Sequence, residues 1–346
     1  MPVRLTTNAI LVFLGFCFCV SCSSSQTLDI YFIDTEGGAA TLIVSPSGES
    51  LLADSGNPGK RDAGRIAHIA KNVAGLTSID HCLSTHWHND HYGGVTLLNA
   101  QIPIKNFYDR GLPKKLRGDH NPELIASYIK TTGGKSIMLE PGDVIPLQGR
   151  GTPLEVKVLA ASGIVLGEEA GAQPVRRCSI HKAALLDESD NALSVTFLLK
   201  FGDFEFFDGG DITWNIEHKL ACPKNLAGEI DVYQVTHHGL DSSNNPTLVH
   251  AMAPRVAIAN NGPRKGVQPK TFAALKSSPG IEAIYQVHRN LVVADDNPDS
   301  EFIANDNDTA ECKAEYVLLS VAADGKSYTV KVPSKGTAQK HAVKSE

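Results

Sequence analysis

The chain has 346 residues, 42% hydrophobic, 20% charged and 6% aromatic, with 30 glycines and 18 prolines. That balance is globular and excludes a disordered tail protein, a collagen-like repeat and a coiled coil. The net charge of −6, with no Lys/Arg run longer than two residues, argues against a polyanion binder, so tight binding of double-stranded DNA is not expected.

Residues 1–26 read as an export signal: Arg4, an unbroken apolar run from Ala9 to Val20, then the small residues Ser21 to Ser25. Twelve helical residues span roughly 18 Å, too short for a bilayer core of about 30 Å. Val20-Ser21-Cys22 partly fits a lipobox, so Cys22 is a candidate lipid anchor, with ordinary cleavage as the alternative. No later run is long and apolar enough to span a membrane. The protein is expected to be exported, either periplasmic, extracellular or tethered to the envelope.

From Leu28 the pattern predicts strands at Leu28–Ile33, Ala40–Val44 and Ser50–Ala53, then a helix from Arg61 to Val73 stopped by Gly75. A strand over Ile79–Thr85 ends directly in a histidine-rich segment. A helix around Leu124–Lys130, a short strand near Ser136–Leu139 and a strand over Leu154–Leu159 follow. Residues 163–188 are rich in Gly, Ala and charge and read as a surface insertion. Two apolar runs, Leu193–Lys200 and Phe204–Phe207, form a hairpin at Gly202-Asp203. Strands at Val232–Val235, Val256–Ala259 and Ala283–Val287 alternate with helices at Leu248–Met252 and Thr271–Leu275. A last hairpin joins Tyr316–Val321 to Tyr328–Val332. Residues 27–334 form one domain on this reading, and residues 335–346 a disordered tail.

Four cysteines follow the signal: Cys82, Cys178, Cys222 and Cys312. Their wide spacing, without a CxxC pair, argues against a zinc knuckle. In an oxidising compartment it admits disulfides of any of three pairings, or free thiols.

The decisive segment is Ser84-Thr85-His86-Trp87-His88-Asn89-Asp90-His91-Tyr92-Gly93-Gly94, with three His and one Asp within six residues at a strand's end. In an extended loop residues two apart point the same way, so His86 and His88 clamp one ion. Asp90 and His91 face a neighbouring one. Imidazole and carboxylate without thiolate suit Zn²⁺, with Mn²⁺ or Fe as alternatives.

This pattern resembles the metallo-β-lactamase superfamily, and the resemblance covers nearly the whole mature chain. It implies an α/β fold, the αββα sandwich, with two divalent metal ions. It further implies that Asp54, in Leu52-Ala53-Asp54-Ser55-Gly56, orients the metal loop from behind. Asp211, in Asp208-Gly209-Gly210-Asp211, would bridge both metals, with Asp208 the competitor. Thr236-His237-His238-Gly239 resembles the His-His-Gly segment of ComEC-type competence proteins and their freestanding relatives. By that likeness His237 is the ligand, and His238 the catalytic partner at the leaving group or oxyanion. The family's separate third His has no clean match. His181 lies in the insertion, and Asp187 to Asn191 matches instead a polar stretch that brings Asp190 or Asn191 near the metal. His288, at a strand end, is a candidate for the missing ligand, and Arg289 beside it a candidate for a substrate phosphate.

Two such ions lower the pKa of water held between them toward about 7 and stabilise charge on oxygen. Asp90 and Asp211 hold that centre, and His238 protonates the leaving group. The expected function is an exported dinuclear metal-dependent hydrolase of phosphoesters. A lactone or β-lactam hydrolase is the rival enzyme, and a catalytically silent metal-binding envelope protein the rival class.

Overall fold

The computed structural model describes residues 1, 27–167, 178, 184–293, 295–308 and 312–344. The export segment, Cys22 and His181 lie outside the described residues. Among those described, no helix is long and apolar enough to cross a membrane.

Two nine-stranded sheets are laid down in chain order. The first takes β1 (Leu28–Phe32), β2 (Thr41–Val44), β3 (Ser50–Ala53), β4 (Ile79–Ser84), β5 (Ile104–Asp109) and β6 (Ile137–Met138). The second takes β7 (Val144–Ile145), β8 (Leu154–Ala161), β9 (Ile164–Val165), β10 (Thr196–Phe201), β11 (Phe204–Asp208), β12 (Val232–Gln234), β13 (Val256–Ala259), β14 (Ala283–His288) and β15 (Ile303–Asn305). The chain then returns to the first sheet as β16 (Val317–Val321), β17 (Ser327–Lys331) and β18 (Gln339–Ala342).

The inward faces pack on each other through Phe32, Leu51, Leu83, Val156, Phe197, Phe206, Val256 and Val330, all fully buried. Burying such faces is the main favourable term holding the layers together. The outer face of the first sheet is covered by the helices Lys60–His68, Val95–Asn99 and Pro122–Thr132, whose Ala63, Ile66, Val95, Leu98 and Tyr128 pack on Leu42, Leu52 and Cys82. The helices Trp214–Ala221, Pro246–Met252 and Pro269–Lys276 cover the other sheet through Leu220, Leu248, Met252 and Leu275. The result is helix, sheet, sheet, helix.

β3, β4 and β5 run parallel, as do β11 through β15. Ligand sites of such sheets collect beyond the carboxyl ends of parallel strands. Asp54, His86, Asp211, His237 and Asn260 all follow a strand at such an end.

The structure corrects the reading of the C-terminal tail. Residues Gln339–Ala342 add an antiparallel strand to β17, and His341 stacks on Tyr328 at 5.1 Å while its Nδ1 lies 2.6 Å from Glu282. Charged, non-periodic residues hid a strand that gains its order from pairing. The helix Trp214–Ala221 was also missed, since the charged Glu217 interrupts the apolar signal of its buried face, Ile216, Leu220 and Ala221. Cys178 and Cys222 form a disulfide, whereas Cys82 and Cys312 are free thiols.

Candidate dinuclear metal site

Asp54 organises the histidine-rich loop. It stands after β3 with φ +61°, a left-handed conformation that a non-glycine residue holds at a cost. Its Oδ1 accepts the Thr85 N–H at 2.8 Å, and its Oδ2 accepts the Thr85 hydroxyl at 2.8 Å and His91 Nδ1–H at 2.7 Å. Because the Thr85 hydroxyl is committed as a donor, its oxygen accepts from His86 Nδ1, 3.0 Å away. The glycines after the loop allow its tight docking: a Cβ on Gly94 would stand 2.1 Å from the Ser55 carbonyl oxygen.

The other sheet supplies the opposing wall. The Thr236–Gly239 turn holds both His237 and His238 at positive φ, 54° and 56°. It is pinned by His237 N–H to Gly210 O at 3.0 Å and by Val267 N–H to His238 O at 3.0 Å. Tyr233, Asn244 and Glu217 back it. Asn244 Nδ2 donates to Thr236 O, and the Asn244 and Asn245 N–H groups donate to the Glu217 carboxyl at 2.7 and 2.8 Å.

These hydrogen bonds fix where the imidazole protons sit. His91 donates from Nδ1 to Asp54, His86 from Nδ1 to Thr85, and His238 from Nδ1 to the Asn260 carbonyl oxygen at 2.9 Å. His88 donates from Nε2 to Asp119 at 3.0 Å. Each ring therefore turns its other nitrogen toward the same centre. His91 Nε2 lies 3.2 Å from His238 Nε2, and His86 Nε2 lies 3.1 Å from His88 Nδ1. Among them stands Asp211 Oδ2, 3.1 Å from His91, 3.4 Å from His238, 3.5 Å from His237 and 3.9 Å from His86. Asp90 Oδ2 lies 3.4 Å from His238 and 3.8 Å from His91.

So many inward acceptors need positive charge between them. Their types and spacings fit two divalent cations: His86, His91 and Asp211 form one close-set group, and Asp90, His91 and His238 another. The local electrostatics show the same demand. Burial opposes ionising Asp211, yet His91, His238 and His237 hold its pKa well below the carboxylate range. Burial likewise opposes charging His91, but Asp211, Asp54 and Asp90 carry its pKa well above the usual value. His86, wholly buried beside His91, is pushed well down.

The structure brings His86, His88, Asp90, His91, Asp211, His237 and His238 together, with Asp54 behind them. Asp208 instead accepts the Gly210 N–H at 2.8 Å, and burial pushes its pKa up to about 7. Two expectations are corrected, those for His288 and Arg289, and the paired histidines differ in what each ring faces. His238 Nε2 faces both carboxylates, while His237, outside either close-set group, meets Asn191 Nδ2 at 3.2 Å and is drawn down to about 4 by burial. His288 does not join the centre, because its Nε2 lies 2.7 Å from Asp34, in the layer contributed by β1. Arg289 is held by Asp306 at 3.0 Å, not aimed at the site.

One participant, Lys265, was missed, and Asp190, expected near the metal, acts on the loop backbone. Lys265 Nζ pairs with Asp90 Oδ2 and donates to Gly37 O at 2.9 Å. Its only sequence signal is its place in the polar loop after β13. Asp190 is wholly buried, accepts the Trp87 N–H at 2.6 Å, and pairs with Arg110 and with His120 at 2.9 Å. It thereby holds the backbone between His86 and His88.

Residues 33–163 match the family model of the metallo-beta-lactamase superfamily. The two helix-covered sheets are consistent with the metallo-β-lactamase sandwich. Among solved structures, the chain is similar to a putative metal-dependent hydrolase from Parabacteroides distasonis, at 15% identity over 77% of this chain and 99% of that one, TM-score 0.40. It is also similar to Igni18, a metallo hydrolase from Ignicoccus hospitalis, at 11% identity over 74% and 94%, TM-score 0.42. A third is CmlA, a diiron β-hydroxylase from Streptomyces venezuelae, at 17% identity over 66% and 44%, TM-score 0.36. This chain spans about half the length of CmlA. Likeness at this level says nothing of substrate.

Glu217 gives the sandwich a pH dependence. Burial raises its pKa from the ordinary 4.5 to about 8, despite the two N–H groups it accepts. A carboxyl that stays protonated longer when folded contributes stability fully present below its unfolded pKa and lost as pH rises through the folded one. Melting temperature is expected to fall between about pH 5 and 8, and Glu217→Gln to flatten that fall in paired melts.

Proposed function

We propose that the protein is an exported, dinuclear metal-dependent hydrolase acting on phosphoesters. The observation that carries the metal-dependent reading is the convergence of side chains: His86, His91 and His238, each anchored through Nδ1, turn Nε2 toward Asp211, His238 also faces Asp90, and His88 Nδ1 faces His86. His86, His88 and Asp211 would hold one cation, and Asp90, His91, His238 and Asp211 the other. When bound, such a pair supplies Lewis acidity and a water ionisable near neutral pH.

The chain's own groups do the rest. Asp54 and the Asn260 carbonyl keep His91 and His238 in one tautomer and orientation. His237, bonded on Nδ1 to Ser243 at 3.1 Å and on Nε2 to Asn191 at 3.2 Å, stands at the edge of the centre, where substrate would replace Asn191 as its Nε2 partner. Lys265 sets a fixed positive charge beside Asp90, where a phosphate oxygen would be stabilised. A cavity of about 690 Å³ lined by Arg117, Leu186, Leu193, Ile216 and Lys219 opens beside Asp119, the partner of His88. Its wall mixes apolar side chains with both signs of charge, Asp119, Asp187 and Glu188 standing beside Arg117 and Lys219, so it offers room for an organic group without selecting an anion. The Cys178–Cys222 disulfide supports an oxidising compartment, and net charge supports weak affinity for double-stranded DNA.

The test is elemental analysis of the purified protein beside hydrolysis of bis-p-nitrophenyl phosphate, p-nitrophenyl phosphate and a chromogenic cephalosporin. Two metal equivalents with preferential phosphoester turnover are expected. Cephalosporin turnover alone would replace phosphoester by amide chemistry. Metal without any hydrolysis would favour a silent binding protein.

A further inference from the structure

A second cluster of metal-binding side chains lies apart from the Asp211 centre. Asp34 follows β1, His288 ends β14, and Cys312 precedes β16, so three distant segments converge. Asp34 and His288 are fully buried, and Cys312 is partly exposed. His288 Nε2 lies 2.7 Å from Asp34 Oδ1, Cys312 Sγ lies 2.9 Å from Asp34 Oδ2, and Sγ and Nε2 are 3.9 Å apart. We propose that Asp34, His288 and Cys312 form a separate site for a single borderline-soft divalent cation of the zinc class.

The donor chemistry argues for it. One thiol, one imidazole and one carboxylate are the ligand types that such cations take, and tetrahedral coordination at ordinary bond lengths sets ligand atoms roughly 3.4–3.6 Å apart. The three separations bracket that spacing, so shifts of several tenths of an ångström would seat an ion. Arg65 Nη1 donates to Asp34 Oδ2 at 2.8 Å and so steadies the carboxylate from outside the trio. His288 Nδ1 is buried and has no hydrogen-bond partner, so no bond at that nitrogen holds the ring in its present tautomer. The ring proton can move from Nε2 to Nδ1 and free Nε2 as a ligand. Cys312 would lose its thiol proton to solvent on binding. One carboxylate and one thiolate would then neutralise a dication, with one proton released. A cavity of about 260 Å³, whose wall includes Asn305, Asp306, Cys312, Lys313 and Glu315, gives the ion a way in and leaves the fourth position to water.

The probe is cobalt(II), titrated into metal-free mature protein with its disulfide intact. The Asp211 centre offers only nitrogen and oxygen, so a near-ultraviolet thiolate-to-cobalt charge-transfer band reports this site alone. That band should saturate at one equivalent per chain. Cys312→Ser should lose the band and one equivalent while keeping any hydrolytic rate, and His288→Ala should weaken cobalt binding at least tenfold. In the unaltered protein, one site-equivalent of Zn²⁺ should slow alkylation of Cys312, mapped by mass spectrometry, at least tenfold. Absence of the band at saturating cobalt, a band that persists in Cys312→Ser, or alkylation unaffected by Zn²⁺ would overturn the proposal. None of these readouts depends on whether the Asp211 centre binds metal or hydrolyses an ester.

Discussion

His238→Ala should release one of two bound metal equivalents and lower turnover roughly 10³-fold or more, because a metal contributes several kcal/mol of transition-state stabilisation. The ring faces both Asp90 and Asp211 at 3.4 Å and has its other nitrogen on the Asn260 carbonyl, so its loss opens the second group directly. His237→Ala should behave differently. Its Nε2 already has a partner in Asn191 at 3.2 Å, so both metals should stay. Turnover should still drop about 10²–10⁴-fold, the usual contribution of one proton-transfer or oxyanion group. With p-nitrophenolate as leaving group the His237 defect should shrink if the ring assists departure, and persist if it stabilises the oxyanion. Metal content by mass spectrometry separates the two residues. Loss of metal in His237→Ala, with His238→Ala fully loaded, would restore the opposite assignment.

Asp190→Ala should be the most destabilising single change near the site, at about 3–5 kcal/mol, the cost of leaving a buried charge unpaired. Arg110 is nearly buried and relies on Asp190, as do His120 and the Trp87 N–H. The carboxyl is held below its usual pKa, because Arg110, the Trp87 N–H and His120 outweigh the burial that opposes its ionisation. Chemical denaturation should show the loss, and metal affinity should fall with it, since Trp87 sits between two metal-facing histidines. Asp190→Asn, which keeps the shape and one acceptor, should recover part of the stability. Equal stability of the alanine variant would mean that Arg110 finds water or another partner.

The periodic segments were legible. Val256–Ala259 is the strand its apolar run predicts, and the hairpin at Gly202-Asp203 turns where expected. Strand-end motifs were legible for the same reason: a residue just past a parallel strand must lie on the carboxyl edge. What the sequence did not carry was the identity of partners across the sandwich. His288 meets Asp34, 254 positions away, only because β14 and β1 end on the same side of facing sheets. The order of His237 and His238 could not be read either. Both residues take left-handed φ, and which ring then faces the carboxylates depends on Gly210 O and Val267 N holding the turn. Lys265 is one lysine among many until the loop after β13 folds over Gly37. The tail strand needed β17 before its polar residues had anything to pair with.

The most direct measurement is anomalous diffraction from crystals of the metal-loaded protein, collected at the absorption edge of the metal found by elemental analysis. Two difference peaks are predicted on either side of Asp211, one within bonding distance of His86 and His88, the other among Asp90, His91 and His238. A single peak, or peaks that leave Asp211 and His238 uncoordinated, would contradict the dinuclear centre.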